Sequence, residues 1–469
     1  MNKETGVSKF VCARAIGAWT VALGMALSSS GAAAQSLADL PEAATNNNQL
    51  AMAGVIQVVC PNLRRQYAAI GILPADQLRL FDACAGVARA TSGDDTRSNA
   101  LQSLTGEELN AAHSATIDFT GLNTANIAAR LATLRQVRGG IGFASASPAD
   151  PGILQAATGG AAGDETALDG RLGLFLNGRI GSGTKDTTEL EAGYDIDTTG
   201  FTAGVDYRVG ESGVIGAAFG YGTADAEFER NDFGLEGGAL DSDGYAFSVF
   251  GSLYGERYYV DVLASYGTLD HESERRIVYS LTIPDDPNLG SNVTESWDET
   301  AVGETSSDSF SLSTSFGYDF GSGPWHYGPM LAVSYLNLQV DGFTEKGAPG
   351  LELRYGSQEA DSLQLQAGLN VGYDVSVGFG VLSPYARATY VSEQENESQA
   401  IRASYASDPL GAIFVIQSDE PDTSFFRWGV GVSAIFANSL SAFLDYDSVA
   451  GLDSVDYGEF TAGVRWSFR

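Results

Sequence analysis

Hydrophobic and polar residues alternate strictly at the C-terminal end of the chain. Over residues 460–468 every second residue is apolar, and the residues between them are small or polar. A period of two is the pattern of a β-strand whose two faces meet different environments. Eleven further runs with this period occur from Asp169 onward, so the C-terminal part of the chain is predicted to be mainly β, with twelve strands.

The connections between these runs alternate in length. Five are tight, for example around Gly210 and Tyr254, and the six between them are longer and acidic. The longest are expected to be loops over residues 270–308 and 392–422. Short turns at one end, long loops at the other and aromatic residues at the run ends are typical of an antiparallel transmembrane β-barrel. A soluble β-sandwich explains any one run, but not this rhythm in twelve.

The N-terminal part of the chain has a different pattern. Residues 1–35 are predicted to be a secretory signal peptide, because basic residues precede a short apolar run and an Ala-x-Ala cleavage pattern. Residues 36–138 place apolar side chains at spacings of three and four, which predicts a small α-helical region. Residues 139–168 are rich in Gly, Ala, Ser and Pro and are expected to link this region to a barrel over 169–469.

Two helices of this region are predicted to form a hairpin, over residues 46–67 and 75–90. Of the three cysteines, Cys12 lies in the predicted signal peptide, and Cys60 and Cys84 fall one on each helix. Because they are an even pair in a chain predicted to be exported, a disulfide between them is expected.

Two more helices are predicted before the linker. Thr105 and Glu108 fit a capping box, in which Thr105 would begin a helix. Helical spacing is also found over residues 123–136, where Arg130 and Arg135 are among the polar positions.

Composition narrows the possible functions. The formal net charge is −33, which argues against nucleic-acid binding, since that requires a basic surface. The three histidines, His113, His271 and His326, form no metal or cofactor pattern, and no nucleophile-serine motif is found. The chain is therefore expected to be neither an enzyme nor a cofactor-binding protein, and His271 is interpreted as part of a solvated acidic loop.

Three short stretches carry a resemblance to a known family. They are Gly-Phe-Thr-Glu-Lys-Gly over 342–347, Pro-Tyr-Ala-Arg over 384–387 and Gly-Val-Arg-Trp-Ser-Phe over 463–468. In their order and spacing, residues 169–469 resemble the autotransporter (type V secretion) β-domain family. The resemblance implies a Gram-negative outer-membrane barrel that carries its long loops on the cell exterior.

The same resemblance implies how the protein is assembled and what it does. The barrel would be a monomer in outer-membrane lipid, delivered by periplasmic chaperones and folded by the barrel-assembly machinery, which reads Trp466 and Phe468 in the last strand. It would then translocate or display its own short helical region. The alternative is an outer-membrane pore whose helical region is a periplasmic or plugging domain.

In this family a helix threads the barrel, and residues 123–136 are the candidate here. Arg130 and Arg135 would then meet inward-facing acids; otherwise this helix belongs to a small periplasmic or surface domain. The charged residues expected to line the lumen are Arg171, Arg179, Asp206, Asp261, Arg387, Arg427, Asp445 and Arg465.

Overall fold

The computed structural model describes most of the chain after the predicted signal peptide. The described residues are 37–90, 94–136, 171–229, 237–286, 291–395, 400–436 and 440–467. The predicted signal peptide (1–35), the predicted linker (139–168) and Phe468 lie outside the described residues.

Helices come first in the chain. In the described part these are α1 (Asn47–Ile70), α2 (Ala75–Arg89), α3 (Asp94–Thr105) and α4 (Asn110–Gln136), with short 3₁₀ helices at Leu40–Ala43 and Glu107–Leu109. The helices α1–α3 form one unit, which we call the cap. Among the described residues, no helix is both long enough and apolar enough to span a membrane.

The predicted hairpin of α1 and α2 is confirmed. Asn46 caps α1, because its Oδ1 accepts the Gln49 N–H at 2.8 Å. Gly71 ends α1 in the left-handed conformation with a φ of 75°. The expected disulfide joins Cys60 to Cys84, whose Cα atoms lie 6.0 Å apart.

The predicted capping box at Thr105 is wrong. Thr105 is the last residue of α3, and its hydroxyl donates to Leu101 O at 2.8 Å within that helix. Gly106 follows with a φ of 76°, a conformation that favours glycine and that ends α3. The glycine therefore makes this stretch a helix end, although its polar pattern suits a helix start.

Sixteen strands are found in the described residues. In chain order they are β1 (Leu172–Lys185), β2 (Tyr194–Val209), β3 (Gly213–Phe228), β4 (Ala239–Tyr254), β5 (Tyr258–Asp286), β6 (Ser291–Tyr318), β7 (Trp325–Val340), β8 (Leu353–Tyr355), β9 (Gln358–Tyr373), β10 (Val375–Val377), β11 (Gly380–Glu395), β12 (Ala400–Tyr405), β13 (Phe414–Gln417), β14 (Ser424–Phe436), β15 (Leu440–Ala450) and β16 (Val455–Ser467).

Twelve of these strands close a barrel, as predicted. They are β1–β7, β9, β11 and β14–β16, each paired antiparallel to its neighbours. The ring closes because β1 pairs with both β2 and β16: Gly173 lies opposite Asp206 on one side and Ser467 on the other. Both ends of the barrel sequence therefore lie at the end with the tight turns.

The two faces of the barrel wall are chemically different. Leu174, Leu176 and Ile180 of β1 point outward and are exposed, while Phe175 between them is buried inside. The Phe175 ring covers Gly204 so closely that an added Cβ there would lie 2.5 Å from it. Inward glycines thus let aromatic rings lie flat along the inner wall, while the outer wall is apolar, as lipid requires.

The long-loop prediction for residues 270–308 is wrong. Glu274 pairs with Ala239, the first residue of β4. Beyond this pair, β5 and β6 continue as a two-stranded extension that projects past the barrel. Its alternate residues Ile277, Tyr279 and Leu281 are buried. Burial of one face explains why a strand forms there instead of a loop. Residues 392–422, likewise expected to be a loop, contain β12 and β13, which form a small sheet with β8.

The cap packs on this end of the barrel. Cap residues Met52, Leu63 and Leu80 belong to the same buried apolar cluster as Tyr279 of the β5–β6 extension and Ile416 of the small sheet. Cap and barrel therefore share one hydrophobic core, in contrast to domains connected only through a linker.

Candidate functional site

The helix α4 lies inside the barrel and packs mainly against the wall formed by β1–β6. Polar side chains three or four residues apart lie on one face of a helix, and on α4 that face meets small polar residues of the wall. The hydrogen-bonded pairs are Thr116 with Ser307 (2.9 Å), Thr120 with Ser309 (3.0 Å), Asn123 with Ser248 (2.8 Å) and Ser265 (3.0 Å), and Asn126 with Thr202 (2.9 Å).

An ion pair fixes the lower end of α4, near the tight turns. Arg130 donates to Asp206 of β2, and Arg465 of β16 lies 3.7 Å from the same carboxylate. The Arg130 guanidinium also stacks over the Phe175 ring, with its Cζ 5.1 Å from the centroid. Arg130 and Asp206 are fully desolvated, so each carries a high cost if the other is removed. The side chain of Arg135 lies outside the described residues.

A cavity of about 820 Å³ runs beside α4, between the helix and the opposite wall. Ile117, Asp118 and Gly121 of α4 line one side. Charged residues of the wall line the other side, and most of them are paired. Arg179 pairs with Glu459, Arg387 pairs with Asp445 and Asp447, and Arg427 faces the cavity.

The remaining residues expected in the lumen lie near the tight turns. Asp261 is half-buried and accepts from Ser252 Oγ at 2.6 Å. Arg171 is exposed at the barrel rim, where its carbonyl accepts the Arg208 N–H. Trp466 points outward, with 63% of its surface exposed.

Sequence reasoning missed the ion pair at the upper end of α4. Arg275 of the β5–β6 extension donates twice to Glu345, from Nε at 2.8 Å and from Nη2 at 2.6 Å. Glu345 also accepts from Leu353 N (2.7 Å) and Tyr355 Oη (3.2 Å). Glu345 was visible as part of the 342–347 motif, but Arg275 lay in a stretch predicted to be a loop.

Two glutamates lie at the junction of cap and α4, Glu107 buried and Glu108 half-buried. Burial raises the pKa of Glu107 well above its usual range, and the neighbouring Glu108 carboxylate raises it further. Burial also raises the pKa of Glu108, against the opposing effect of Arg275. Both residues lie in the 3₁₀ turn outside the barrel strands, and both are held more easily in their neutral form.

Two of the histidines, His271 and His326, lie in different parts of the barrel. The solvated-loop interpretation of His271 is wrong: it is buried in β5, with Nδ1 2.7 Å from Ser242 Oγ and Nε2 2.8 Å from Ser307 Oγ. His326 lies between Asp319 (3.2 Å) and Asp374 (3.1 Å) near the tight turns. In the described parts of the chain, no three His, Cys, Asp or Glu side chains are grouped as a metal site requires.

The fold and the lumen together define a transmembrane-type β-barrel filled by the chain's own N-terminal helix. The family model described as Autotransporter beta-domain matches residues 174–447. The chain belongs to this family and is an outer-membrane autotransporter barrel with helix α4 of its N-terminal helical region inside it.

Curated relatives cover part of the same chain. Esterase EstA of Pseudomonas aeruginosa is 28% identical over 263 residues, which is 55% of this chain and 36% of that protein. Outer membrane protein A of Rickettsia conorii is 25% identical over 275 residues, which is 58% of this chain and 13% of that protein. The chain thus matches about a third or less of the length of these relatives.

Two solved structures are similar. The translocator domain of the autotransporter NalP from Neisseria meningitidis has a TM-score of 0.48 at 15% identity. The match covers 64% of this chain and 89% of the NalP chain. The transport unit of the autotransporter AIDA-I from Escherichia coli has a TM-score of 0.44 at 14% identity. The match covers 65% of this chain and 93% of the AIDA-I chain.

Proposed function

We propose that the barrel exports its own helical region and then keeps it. In this account the cap is displayed at the cell surface and α4 remains in the lumen as a plug. The observation that carries the proposal is the path of the chain. The cap packs at the end with the long connections, α4 runs down the lumen to Arg130, and β1 begins at the end with the tight turns.

This path constrains how the molecule is assembled. The cap precedes α4 in sequence and lies at the opposite barrel end from the start of β1. In a closed barrel, a segment that precedes the first strand reaches the far end only through the lumen or by closure of the barrel around it. Both routes move the cap outward if the long connections face the exterior, as is usual for outer-membrane barrels.

The orientation and the partners belong to the same proposal. Long connections outside would place the tight turns in the periplasm, where chaperones deliver the chain. The exposed Trp466 of β16, together with Phe468, would present the last strand to the assembly machinery. The barrel has no unpaired strand among its twelve, which supports a monomer surrounded by lipid.

We infer no hydrolase role for the helical region. Esterase activity belongs to the relative EstA by name, and a Ser-His-acid hydrolase needs a histidine held between a nucleophile and an orienting group. His113 is the histidine of the helical region, and neither of its buried ring nitrogens has a hydrogen-bond partner within the described residues. Its surroundings support packing rather than catalysis.

A protease site inserted between Gly71 and Ile72 tests the export. This turn is exposed and lies between the two cysteines. Protease added to intact cells is expected to cut it, and the two fragments should stay joined by the Cys60–Cys84 disulfide until a reductant is added. The matched control carries the same site in the exposed turn at Gly210–Glu211, which should stay uncut. An uncut cap site that is cleaved only after the outer membrane is permeabilised would contradict the proposal.

A further inference from the structure

The chain bends sharply where the cap becomes the plug. Between the end of α3 at Thr105 and the start of α4 at Asn110, Gly106 adopts a φ of 76°. A residue with a side chain rarely adopts this conformation. We call residues 105–109 the elbow.

Three side chains of the barrel sequence surround Gly106: Arg275, Leu353 and Tyr355. Together with Glu345, which is hydrogen-bonded to Arg275 and Tyr355, we call them the socket. A Cβ added to Gly106 would collide with Tyr355 Oη, and it would lie 2.9 Å from Leu353 Cδ1 and 3.2 Å from Arg275 Cδ. The residue at this point of the chain must therefore be a glycine for two independent reasons, its backbone conformation and the lack of space.

Hydrogen bonds hold the backbone beside Gly106 in the socket. The single hydrogen of the Tyr355 hydroxyl is shared between Glu345 Oε1 at 3.2 Å and Gly106 O at 3.4 Å, and Arg275 Nη1 donates to Ser103 O at 3.3 Å. The Ser103 hydroxyl accepts the Val278 N–H at 2.8 Å. These contacts bind the last turn of α3 and the elbow to β5 and β8.

The socket is rigid because its own members are bonded to one another. The Arg275–Glu345 pair is bidentate and buried, and Arg275 Nη2 also donates to Leu351 O at 3.0 Å. Phe343 stacks on Tyr355 with ring centroids 4.9 Å apart. All of these groups come from the barrel part of the chain, so the elbow docks onto a surface that the barrel supplies.

The upper contacts of α4 are less selective than the socket. They are made by the hydroxyls of Thr116 and Thr120, and Thr124 continues the same four-residue repeat toward the cavity. Shifting the helix by one turn, about 5.4 Å, would place one threonine where another had been. The socket accepts only Gly106, because every other residue of the elbow and of the first turn of α4 carries a Cβ.

We propose that the elbow and its socket form a stop that sets how far the chain is exported and so fixes the register of α4 in the barrel. This inference rests on the export proposed above. Gly106 and its socket residues act as positioning residues: they arrest the moving chain when the one residue that fits reaches the mouth of the barrel. Arg130 and Asp206 then pair at the other end of the lumen.

The test measures the register of α4 by disulfide crosslinking. The pair Thr120→Cys and Ser309→Cys reports the register of the structure, in which the two hydroxyls are 3.0 Å apart. The pair Thr124→Cys and Ser309→Cys reports a chain exported one turn too far, and Thr116→Cys with Ser309→Cys reports one exported too little. The first pair is expected to crosslink efficiently in the parent protein and the other two poorly.

Gly106→Ala is expected to lower the crosslink yield of the first pair about tenfold and to raise that of one shifted pair. Gly71→Ala is the matched control. Gly71 has the same positive φ, 75°, but a Cβ there would meet nothing within 4 Å. The control should therefore leave the crosslink pattern unchanged. Adding Tyr355→Phe to Gly106→Ala removes one collision and should restore part of the original register, which a general loss of stability would not allow.

Two further readouts keep the test decisive. Heat-dependent gel mobility shows whether the barrel has folded, and if Gly106→Ala does not fold, Ser103→Ala replaces it. That variant loses only the hydrogen bond from Val278 N–H and should lower the yield about twofold.

Unchanged register in a folded variant would overturn the stop. A parent whose α1–α2 turn is hidden on intact cells would overturn the export itself, so the two failures are distinguishable.

Discussion

At the scale of single residues, the elbow makes the stability of the cap depend on pH. The folded cap raises the pKa of Glu107 by burying it, so the folded state binds a proton that the unfolded state releases above its ordinary value of 4.5. The resulting contribution to stability is fully present below that value and is lost as the pH rises through the raised pKa. The contribution of Glu107 should therefore make the cap less stable at pH 8 than at pH 4.

Glu107→Gln is expected to remove this loss. The variant should stabilise the cap at pH 8 by on the order of 1 kcal/mol and leave it unchanged at pH 4. The measurement is the temperature at which the cap of the purified protein becomes protease-sensitive, at both pH values. Glu42→Gln, at an exposed residue of the cap, is the control. An equal effect of Glu107→Gln at both pH values would show that charge is not the cause.

Single residues also show how much of the candidate site could be predicted from the sequence. An inward acid such as Asp206 could be placed from the period of two, and Arg130 from the helical spacing, because both patterns are local. The partner of Glu345 could not be found in this way. Arg275 meets it across 70 residues of chain, in an extension whose burial depends on the cap.

At the scale of elements, the polar contacts of α4 should hold it against the wall. Asn123 donates to two serines and accepts from Thr202, whereas the Thr124 hydroxyl bonds to Thr120 O and Gly121 O of its own helix and faces the cavity. Asn123→Ala removes three buried hydrogen bonds between α4 and the wall and should speed amide hydrogen exchange in α4 about tenfold, while Thr124→Ala should not. Equal exchange in both variants would mean that these contacts do not hold the plug.

The elements themselves were predictable to different degrees. The twelve barrel strands could be predicted because lipid outside and polar lumen inside impose the same alternation on each of them. The upper halves of β5 and β6 and the small sheet of β8, β12 and β13 could not. Their apolar faces are covered by the cap instead of by lipid, and short strands of this kind resemble acidic loops in the sequence.

At the scale of the whole molecule, the shared core of cap and barrel supports the proposed retention of the cap. Leu40, Met52 and Leu101 of the helical region are buried in the cluster that includes Leu353 and Ile416 of the barrel sequence. Releasing the cap would expose this surface to water, at a cost of roughly 25 cal/mol for each Å² of apolar area. The proposed retention therefore rests on this packing, and the proposed display at the surface rests on the path of the chain.

The most direct test of this account labels the two ends of the barrel in living cells. Ile72→Cys lies on the cap, with 71% of the native side chain exposed, and Glu211→Cys lies in a tight turn at the other end. Of the three native cysteines, Cys12 lies in the predicted signal peptide, and Cys60 and Cys84 are joined and do not compete for the reagent. A membrane-impermeant maleimide is expected to label Ile72→Cys on intact cells and Glu211→Cys only after permeabilisation. Labelling of Glu211→Cys alone on intact cells would contradict the account.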